Sequence, residues 1–381
     1  MKKVVSFLVL LAVVASVLTA ILISVRASTD HTSYHTTQIA PHTAGFPHVQ
    51  GTQIVDGSGN PFYLRGAEIE SAFDNMGSWK AGVKLSHILN PTVFNAMVQT
   101  WKMNALRLCL SNWIYVKDPV NYMKQLDTVI QQANAAGLYV VLNLHDDGKA
   151  GSPYGDLADL PKTQDNAFWG IIAAHYKSNP MVMFDLYNEP KATSWPMWLT
   201  GHATVDGAHV VGHQDLVNTI RAAGAPQIVI AEPGSAGGRG KAWSNIGTYT
   251  LNDPNVMYSL HVYDHIDYTA QQDDALWGPS ILNHHPLFYG EWALLVNGTG
   301  IPGYDHCKSI QPSQANKIVQ DFMSYMAARN ASWTAWDFTP YHMIQDYKNF
   351  APTTLNIPWK CGQPSHAGMG TQVKNYLVNA H

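Results

Sequence analysis

Two glutamates each end a short apolar stretch of the sequence, and their side chains could share acid/base and nucleophilic work. Glu189 follows the apolar run of residues 181–187, and Pro190 directly after it prevents a strand from continuing. Glu291 ends a second run that begins at Leu287. Two carboxyl groups can divide proton transfer and attack on carbon between them. An Asn-Glu-Pro tripeptide also occurs by chance in turns. Whether the glutamates form a site therefore depends on the elements that carry them.

Apolar runs of strand length alternate with amphipathic segments of helix length from about residue 49 onward. Pro91, Pro119 and Pro312 suit first-turn positions of helices, and Gly137 suits a helix cap. The predicted strands are Phe62–Gly66, Asn104–Leu110, Leu138–His145, Val182–Tyr187, Gln227–Ala231, Val256–His261, Leu287–Glu291 and Ser332–Trp336. The predicted helices are Pro91–Lys102, Pro119–Ala136, Asp165–Lys177, His213–Ala223, Ala270–Leu282, Pro312–Arg329 and Thr371–Asn379.

Eight strands, each followed by a crossover, predict a single α/β domain built as a closed parallel (β/α)8 TIM barrel. A doubly wound open sheet is the alternative. Its phosphate loop is missing, because the glycine-rich segment 234–240 does not have the dinucleotide-binding spacing. The fifth crossover, residues 240–255, is the weakest helix prediction, since Gly, Asn and Pro interrupt it.

Most of the predicted strands bring a polar or aromatic side chain to their carboxyl end. Each such residue alone could be structural: a surface arginine, a satisfied histidine or a core tryptophan. Together, at the mouth of a barrel, they indicate a site, because buried polar groups cost free energy unless they are paired. Carboxylates on the fourth and seventh strands would face each other, as retaining glycoside hydrolysis requires. The candidate residues are Arg107, His145, Asn188, Glu189, His261, Tyr263, Glu291 and Trp336.

From residue 54 to the last helix, the chain resembles glycoside hydrolase family 5, the cellulase-type family of barrel glycosidases. Residues 54–66, Ile-Val-Asp-Gly-Ser-Gly-Asn-Pro-Phe-Tyr-Leu-Arg-Gly, are similar to the opening of that family. Residues 184–190, Phe-Asp-Leu-Tyr-Asn-Glu-Pro, are similar to its signature. His-Val-Tyr263, Tyr-Gly-Glu291 and Trp336 follow in the order of the family. The resemblance implies the same barrel and a retaining β-glycanase.

The resemblance also implies roles for individual residues. Glu189 would be the acid/base and Glu291 the nucleophile, and the pKa of Glu189 should fall when Glu291 loses its charge to the glycosyl ester. Asn188 would bind the 2-hydroxyl of the sugar. Arg107 would keep Glu291 ionised by its charge, and Tyr263 would do so by a hydrogen bond.

The remaining roles concern substrate binding. His145 and His261 would line the subsite at the cleaved bond, and Trp336 would form the floor under that sugar. The loops at 146–154 and 297–312 fit no subgroup, so the substrate stays open. An endo-β-1,4-glucanase acting on β-glucan is favoured over a β-mannanase, and exo-acting or side-chain-removing relatives come third. Further sugar platforms could come from Trp79, Trp113, Tyr154, Trp195, Trp198, Trp243 and Trp277, about half of which are expected to be packing residues.

Composition excludes some classes of protein. Charged residues make up 13% of the chain and the formal net charge is −4, with no basic run longer than Lys2-Lys3. This argues against a nucleic-acid partner. The 18 histidines prompt the hypothesis that the protein works in mildly acidic surroundings. Ordinary surface histidines are the simpler explanation.

Two rival functions remain. A metal-dependent barrel hydrolase is disfavoured because there is no His-Glu-x-x-His, and His261 and His265 have no obvious third ligand. No metal or other cofactor is therefore predicted. A non-catalytic carbohydrate-binding barrel would normally have lost one carboxylate, and both are present here.

Residues 1–27 resemble an export signal, with two lysines, an apolar run over 4–25 and a small-residue cleavage site after Ala27. The apolar run is also long enough to anchor the chain uncleaved in a membrane. Residues 28–48 predict a flexible linker, and residues 49–381 the catalytic domain. A secreted monomer is favoured over an anchored one.

Export makes the three cysteines informative. Cys109 lies in an apolar run and is predicted to be a buried thiol. Cys307 and Cys361 both lie in polar, Pro- and Gly-rich segments, and a disulfide between them is predicted.

Overall fold

The computed structural model of the protein describes residues 45–69, 73, 88–145, 160–205, 208–234, 242–263, 265–296, 310–340, 342–357, 359 and 367–379. The predicted export signal and nearly all of the predicted linker lie outside these residues. Within the described part of the chain, no helix combines the length and the apolar character needed to cross a membrane.

Eight parallel strands close into a barrel, which confirms the predicted fold and excludes the open sheet. The strands of the described residues are β1 His48–Gln50, β2 Gln53–Val55, β3 Pro61–Phe62, β4 Arg65–Ile69, β5 Ala105–Leu110, β6 Tyr139–Leu144, β7 Val182–Asp185, β8 Gly201–Val205, β9 Ala208–Val211, β10 Val229–Ala231, β11 Val256–Val262, β12 Leu287–Trp292 and β13 Ser332–Ala335. The barrel order is β4, β5, β6, β7, β10, β11, β12 and β13, and β13 pairs with β4 to close the ring.

Helices connect the strands on the outside of the barrel. A π-helical turn, Ala96–Thr100, continues the first helix. The helices of the described residues are α1 Pro91–Asn95, α2 Asn112–Tyr115, α3 Pro119–Ala136, α4 Thr163–Tyr176, α5 Trp195–Thr200, α6 His213–Ala222, α7 Ala270–Leu282, α8 Pro312–Ala328 and α9 Gly370–Asn379.

Local signals place the helix ends. Pro91, Pro119 and Pro312 each lie in the first turn of a helix, where a missing N–H costs no hydrogen bond. The side chain of Asp118 accepts a hydrogen bond from the Asn121 N–H and caps α3 at its start. Gly137 ends α3 in the left-handed region, with a φ of 105°. The predicted bounds of α3 and α7 are confirmed.

The first barrel strand and the fifth crossover differ from the predictions. The first strand was predicted at 62–66 but begins at Arg65, because residues 48–62 form a separate antiparallel sheet, β1-β2-β3. The chain between β10 and β11 forms turns and no helix within its described residues 242–255. A hairpin of β8 and β9 was not predicted.

The barrel interior has an apolar layer at one end and a polar layer at the other. Along β5, successive side chains point to opposite faces, so Ala105 and Arg107 point inward while Leu106 and Leu108 pack against the helices. The apolar layer lies at the amino ends of the strands, and β2 contributes to it. It consists of Ile54, Leu64, Ala105, Val141, Met183, Ile228, Ile230, Met257 and Phe288.

Candidate active site

Glu189 and Glu291 lie close together at the carboxyl ends of β7 and β12. A carboxylate oxygen of each glutamate and a ring nitrogen of His261 all lie within 4.8 Å of one another. The Glu291 side chain is 5% exposed, whereas that of Glu189 is 26% exposed. Glu291 is therefore enclosed by protein, and Glu189 faces the open end of the barrel.

Glu291 is surrounded by groups that favour its ionised form. Its Oε1 accepts a hydrogen bond from Arg107 Nη1 at 2.7 Å, and its Oε2 accepts one from the Tyr263 hydroxyl at 2.6 Å. Burial alone would raise the pKa of Glu291, but His261, Arg107 and the Tyr263 hydroxyl lower it well below its ordinary value. These contacts favour the ionised form of Glu291.

Glu189 is held through both its side chain and its backbone. Its Oε1 lies 3.0 Å from His261 Nδ1, which is also 3.4 Å from Oε2 of Glu291. Its backbone N–H donates to Oε2 of Glu232 at 2.7 Å. Its φ is 41°, in the left-handed region that residues with a Cβ rarely adopt. The imidazole and Glu232 together direct the Glu189 carboxyl toward Glu291.

Asn188 and His145 form one hydrogen-bonded unit beside Glu189. Asn188 accepts from Arg107 Nη2 at 2.9 Å and donates its amide to His145 Nε2 at 3.3 Å. His145 Nδ1 lies 3.1 Å from the side-chain oxygen of Asn143. Burial lowers the pKa of His145 to about 4, and the opposing effect of Glu291 does not restore it. A neutral His145 with its proton on Nδ1 satisfies both contacts and orients Asn188.

Arg107 lies at the centre of the polar layer. The residue is fully buried, and its guanidinium donates from all three nitrogens. Burial raises the pKa of Glu68 and that of Asp185, which opposes ionisation of these two neighbours. The acceptors are Glu68, Asp185 at 2.9 Å, Asn188 at 2.9 Å, Glu232 at 3.0 Å and Glu291 at 2.7 Å.

All these groups lie at the mouth of one parallel barrel, and the chain that carries them matches a known family. Residues 55–342 match the family described as cellulase (glycosyl hydrolase family 5). This protein belongs to glycoside hydrolase family 5. The matched residues are most of the chain and include both glutamates, so the resemblance predicted from the sequence is confirmed.

Curated relatives of this family 5 chain are moderately similar to it. Cellulase/esterase CelE of Acetivibrio thermocellus is 25% identical over 85% of this chain and 38% of its own length. Endoglucanase E-5 of Thermobifida fusca is 27% identical over 76% of this chain and 55% of its own length. A mannan endo-1,4-beta-mannosidase of Cellvibrio japonicus is 26% identical over 66% of this chain and 53% of its own length. The chain thus spans about half or less of these relatives.

Solved structures share the fold of this family 5 barrel. The β-glucanase of Saccharophagus degradans in complex with cellotetraose has a TM-score of 0.66 and 19% identity, and the match covers 92% of this chain and 99% of that one. At this identity the likeness concerns the barrel and its connections alone.

Trp336 lies beside Tyr263, the tyrosine that donates to Glu291. It follows β13, is partly buried, and meets the Tyr263 ring edge to face with 6.2 Å between centroids. The next residue, Asp337, is buried and accepts from the Thr339 hydroxyl at 2.6 Å, and it lies 2.5 Å from His342 Nδ1. These contacts hold the segment that presents Trp336 near the two glutamates.

Most of the other proposed sugar platforms are core residues. Trp195, Trp198, Trp243 and Trp277 are buried, and their rings pack against protein, so they are not available to a sugar. Trp113 is partly exposed, with the Lys117 ammonium 4.0 Å from its ring centroid. Trp79 and Tyr154 lie outside the described residues.

Three further acids of the polar layer were not singled out from the sequence: Glu68, Asp185 and Glu232. Each follows or interrupts an apolar strand-length run, as Asp185 does in Met-Phe-Asp-Leu. A charged residue inside such a run is a usable signal, because carboxylates are seldom fully buried without a partner. What the sequence did not show is that all of them share one arginine.

Cys109 is buried, as predicted, but its environment is polar. Its Sγ lies 2.9 Å from Oε1 of Glu68 and donates a hydrogen bond to it. The thiol therefore supports the acid that lies against Arg107. Cys307 and Cys361 lie outside the described residues, so the disulfide stays a prediction.

Within the described ranges, two groups of three side chains bring metal-binding atom types within 4.8 Å of one another. One is the glutamate pair with His261, and the other is Glu68, Cys109 and His145. In the second group both ring nitrogens of His145 already contact asparagine side chains. That histidine therefore has no nitrogen left for a metal. The absence of a cofactor stays a prediction from the sequence.

Proposed function

We propose that this protein is a retaining endo-β-1,4-glucanase in which Glu189 is the acid/base and Glu291 is the nucleophile. The proposal rests above all on the proximity of the two carboxyl groups, whose oxygens lie within 4.8 Å. Retaining enzymes hold the pair roughly 5 to 5.5 Å apart, whereas inverting enzymes need about 6.5 to 9.5 Å to admit a water molecule. Oxygens this close favour the retaining arrangement over the inverting one.

In the first step, Glu189 donates its proton to the glycosidic oxygen while the Glu291 carboxylate attacks the anomeric carbon. The carbon–oxygen bond to the leaving chain breaks, and a glycosyl ester forms on Glu291. The lowered pKa of Glu291 supports this division, because the nucleophile must be ionised before attack.

In the second step, a water molecule enters from the side that the leaving chain has vacated. Glu189, now ionised, takes a proton from that water, and the hydroxide attacks the anomeric carbon and releases Glu291. Two displacements at the same carbon restore the original configuration, and Glu189 regains its proton for the next cycle.

The surrounding residues stabilise the charges that develop. Arg107 and the Tyr263 hydroxyl bind both oxygens of Glu291 and orient it for in-line attack. Asn188 is held by the Arg107 guanidinium, and its proposed partner is the sugar 2-hydroxyl, a contact that strengthens in an oxocarbenium-like transition state. His261 contacts Glu189 and Trp336 lies alongside Tyr263, and these contacts support the proposal that both residues line the sugar subsite.

β-1,4-Glucan is the favoured substrate, since two of the relatives above are called a cellulase and an endoglucanase. A mannan-cleaving relative supports β-1,4-mannan as the second candidate. The two sugars differ at carbon 2, the position proposed for Asn188. A polymer of this kind is met outside the cell, which agrees with the proposed export of the chain by residues 1–27 and its action as a secreted monomer.

The experiment is product analysis on soluble β-glucans and β-mannans with wild-type, Glu291→Ala and Glu189→Ala enzymes. Glu291→Ala should lower kcat on the order of 10⁴-fold or more. Azide should restore cleavage of an activated cellobioside by this variant, with release of the inverted α-glycosyl azide. Glu189→Ala is the matched control, and with azide it should release the retained β-glycosyl azide. An inverted product from the wild-type enzyme would overturn the mechanism, and turnover of mannan alone would overturn the substrate.

A further inference from the structure

Glu232 is a buried acid that contacts three residues of the site: Glu189, Arg107 and His261. It follows β10, and its residue is 2% exposed. Its Oε2 accepts from the Glu189 N–H at 2.7 Å, and its Oε1 accepts from Arg107 Nη2 at 3.0 Å. The same Oε1 lies 3.1 Å from His261 Nε2. One carboxylate thus joins the backbone of the acid/base to the arginine and the histidine around it.

The contact with Glu189 falls where its backbone is least favourable. A φ of 41° places Glu189 in the left-handed region, which a residue with a Cβ adopts only when its surroundings hold it there. The Glu232 carboxylate binds the N–H of that same residue. Loss of the contact would let the backbone relax and move the Glu189 carboxyl away from Glu291.

The turn that carries Glu232 also packs on the turn that carries Glu189. Gly234 has a φ of 58°, and a Cβ on it would lie 1.6 Å from the carbonyl oxygen of Pro190. The carbonyl of Glu232 accepts from the Trp198 indole N–H at 2.7 Å, which fixes this turn from the other side. The two turns are therefore in direct contact, and only glycine fits between them.

His261 connects Glu232 to the reacting carboxyl groups. Its Nδ1 faces Glu189 at 3.0 Å and Glu291 at 3.4 Å, and its Nε2 faces Glu232. Glu232 Oε1 lies 3.1 Å from Nε2, so the carboxylate packs against the edge of the ring that faces away from the glutamate pair and limits its rotation.

We propose that Glu232 is a positioning residue for proton transfer: it holds the Glu189 backbone and the His261 ring so that the Glu189 carboxyl reaches the glycosidic oxygen. The proposal rests on the assignment of Glu189 as acid/base. Glu232 also contacts Arg107, which binds Glu291, and substitution of Asp185 measures that shared effect on the nucleophile. The additional loss on substitution of Glu232 depends on how much the leaving group needs a proton.

The test compares kcat/KM on cellotetraose, whose leaving sugar needs a proton, with kcat/KM on 2,4-dinitrophenyl β-cellobioside, whose leaving group departs as a stable anion. Glu232→Ala should lower the first roughly 10²-fold, as expected for a misplaced catalytic group. It should lower the second less than about threefold, because no proton is needed there. Glu232→Gln keeps one oxygen for the Glu189 N–H and should recover part of the loss on cellotetraose.

Asp185→Asn is the matched control, because Asp185 contacts the same guanidinium at 2.9 Å from another strand. This substitution should lower kcat/KM for both substrates by the same factor. Glu189→Ala tests the acid/base role separately and should show a still larger difference between the substrates. Thermal unfolding selects the folded variants, and the isosteric Gln variant is compared if the Ala variant does not fold. Equal losses on both substrates in a folded Glu232 variant, or no loss on either, overturn the proposal.

Discussion

Arg107 carries one positive charge, and four carboxyl groups lie against its guanidinium. Four ionised carboxylates around one cation would leave a buried negative charge, and each uncompensated buried ion costs several kcal/mol. Burial raises the pKa of Glu68 and of Asp185, so these two hold protons more strongly than free acids do. The positive charge of Arg107 is then available to Glu291, the carboxyl group that must be ionised.

Tyr263→Phe should raise the pKa of Glu291 and move the acid limb of the kcat/KM profile to higher pH. The tyrosine hydroxyl donates to Oε2 of Glu291 at 2.6 Å and lowers that pKa, so its removal acts in the opposite direction. One hydrogen bond to a charged group corresponds to about one pH unit. Because the pKa of Glu291 is lowered to about 2, the measurement is kcat/KM on an activated cellobioside from roughly pH 2 upward, past the ordinary carboxyl pKa.

Tyr258→Phe is the matched control for this shift. It removes a buried hydroxyl from β11, the strand that Tyr263 follows, and this hydroxyl accepts from the Leu251 N–H on the outer side of the barrel. Its acid limb should coincide with that of the wild-type enzyme. An unchanged limb in Tyr263→Phe would mean that the tyrosine does not control the ionisation of Glu291.

At the residue scale, the sequence indicated Glu189 and Glu291 but not the acids Glu68, Asp185 and Glu232. Glu189 and Glu291 stand out because each follows an apolar run, where burying a carboxyl group costs free energy unless it is paired. Glu68 and Asp185 lie inside their runs, and only the register of the closed barrel brings both onto Arg107. Which carboxyl groups contact Arg107 therefore depends on tertiary structure.

At the element scale, the turns after β7 and β10 act as one unit. Gly234→Ala should lower both stability and turnover, since the new Cβ would strike the carbonyl oxygen of Pro190 and displace the adjacent Glu189. The left-handed φ alone costs about 1 to 2 kcal/mol, and the clash adds to it. Urea unfolding and kcat on cellotetraose measure the two effects.

Gly247→Ala separates backbone strain from the clash. Gly247 has the same φ of 58°, but a Cβ there would meet nothing within 4 Å. This variant should lose about 1 kcal/mol of stability and keep its turnover. If both alanine variants have the wild-type kcat, the packing of the two turns is not needed to place Glu189, the proposed acid/base.

Helices were predicted more accurately than the first strand, for a physical reason. The ends of α3 depend on Pro119 and Gly137, whose backbone preferences are local. β4 was misplaced because Phe62 pairs with Ile54 in the small antiparallel sheet, although its sequence suits a barrel strand equally well. Partner strands distant in sequence decide such cases.

At the scale of the whole molecule, stability and chemistry lie at opposite ends of the barrel. Ile54 on β2 is 2% exposed and packs into the apolar layer at the amino ends of the strands. Ile54→Ala should lower the free energy of unfolding by about 2 to 4 kcal/mol, and Ile54→Val by about 1 kcal/mol. Neither variant should change kcat/KM, measured at about 25 °C.

Urea denaturation and steady-state kinetics on the same preparations check this separation. A folded Ile54→Ala enzyme with altered kcat/KM would show that the small antiparallel sheet communicates with the mouth of the barrel. The apolar layer and the Arg107 layer are neighbours along β5, so the test addresses a physical contact.

The sequence by itself determined the barrel class, the family and the positions of the two glutamates, because strand-length apolar runs, caps and strand-end polar residues are local features. Tertiary structure decided that Glu68, Asp185, Glu232 and Glu291 share one guanidinium, and that Cys109 supports one of them. These contacts join strands far apart in the chain, and the closure of the barrel sets their register. Which carboxyl group is ionised follows from that shared charge and its burial.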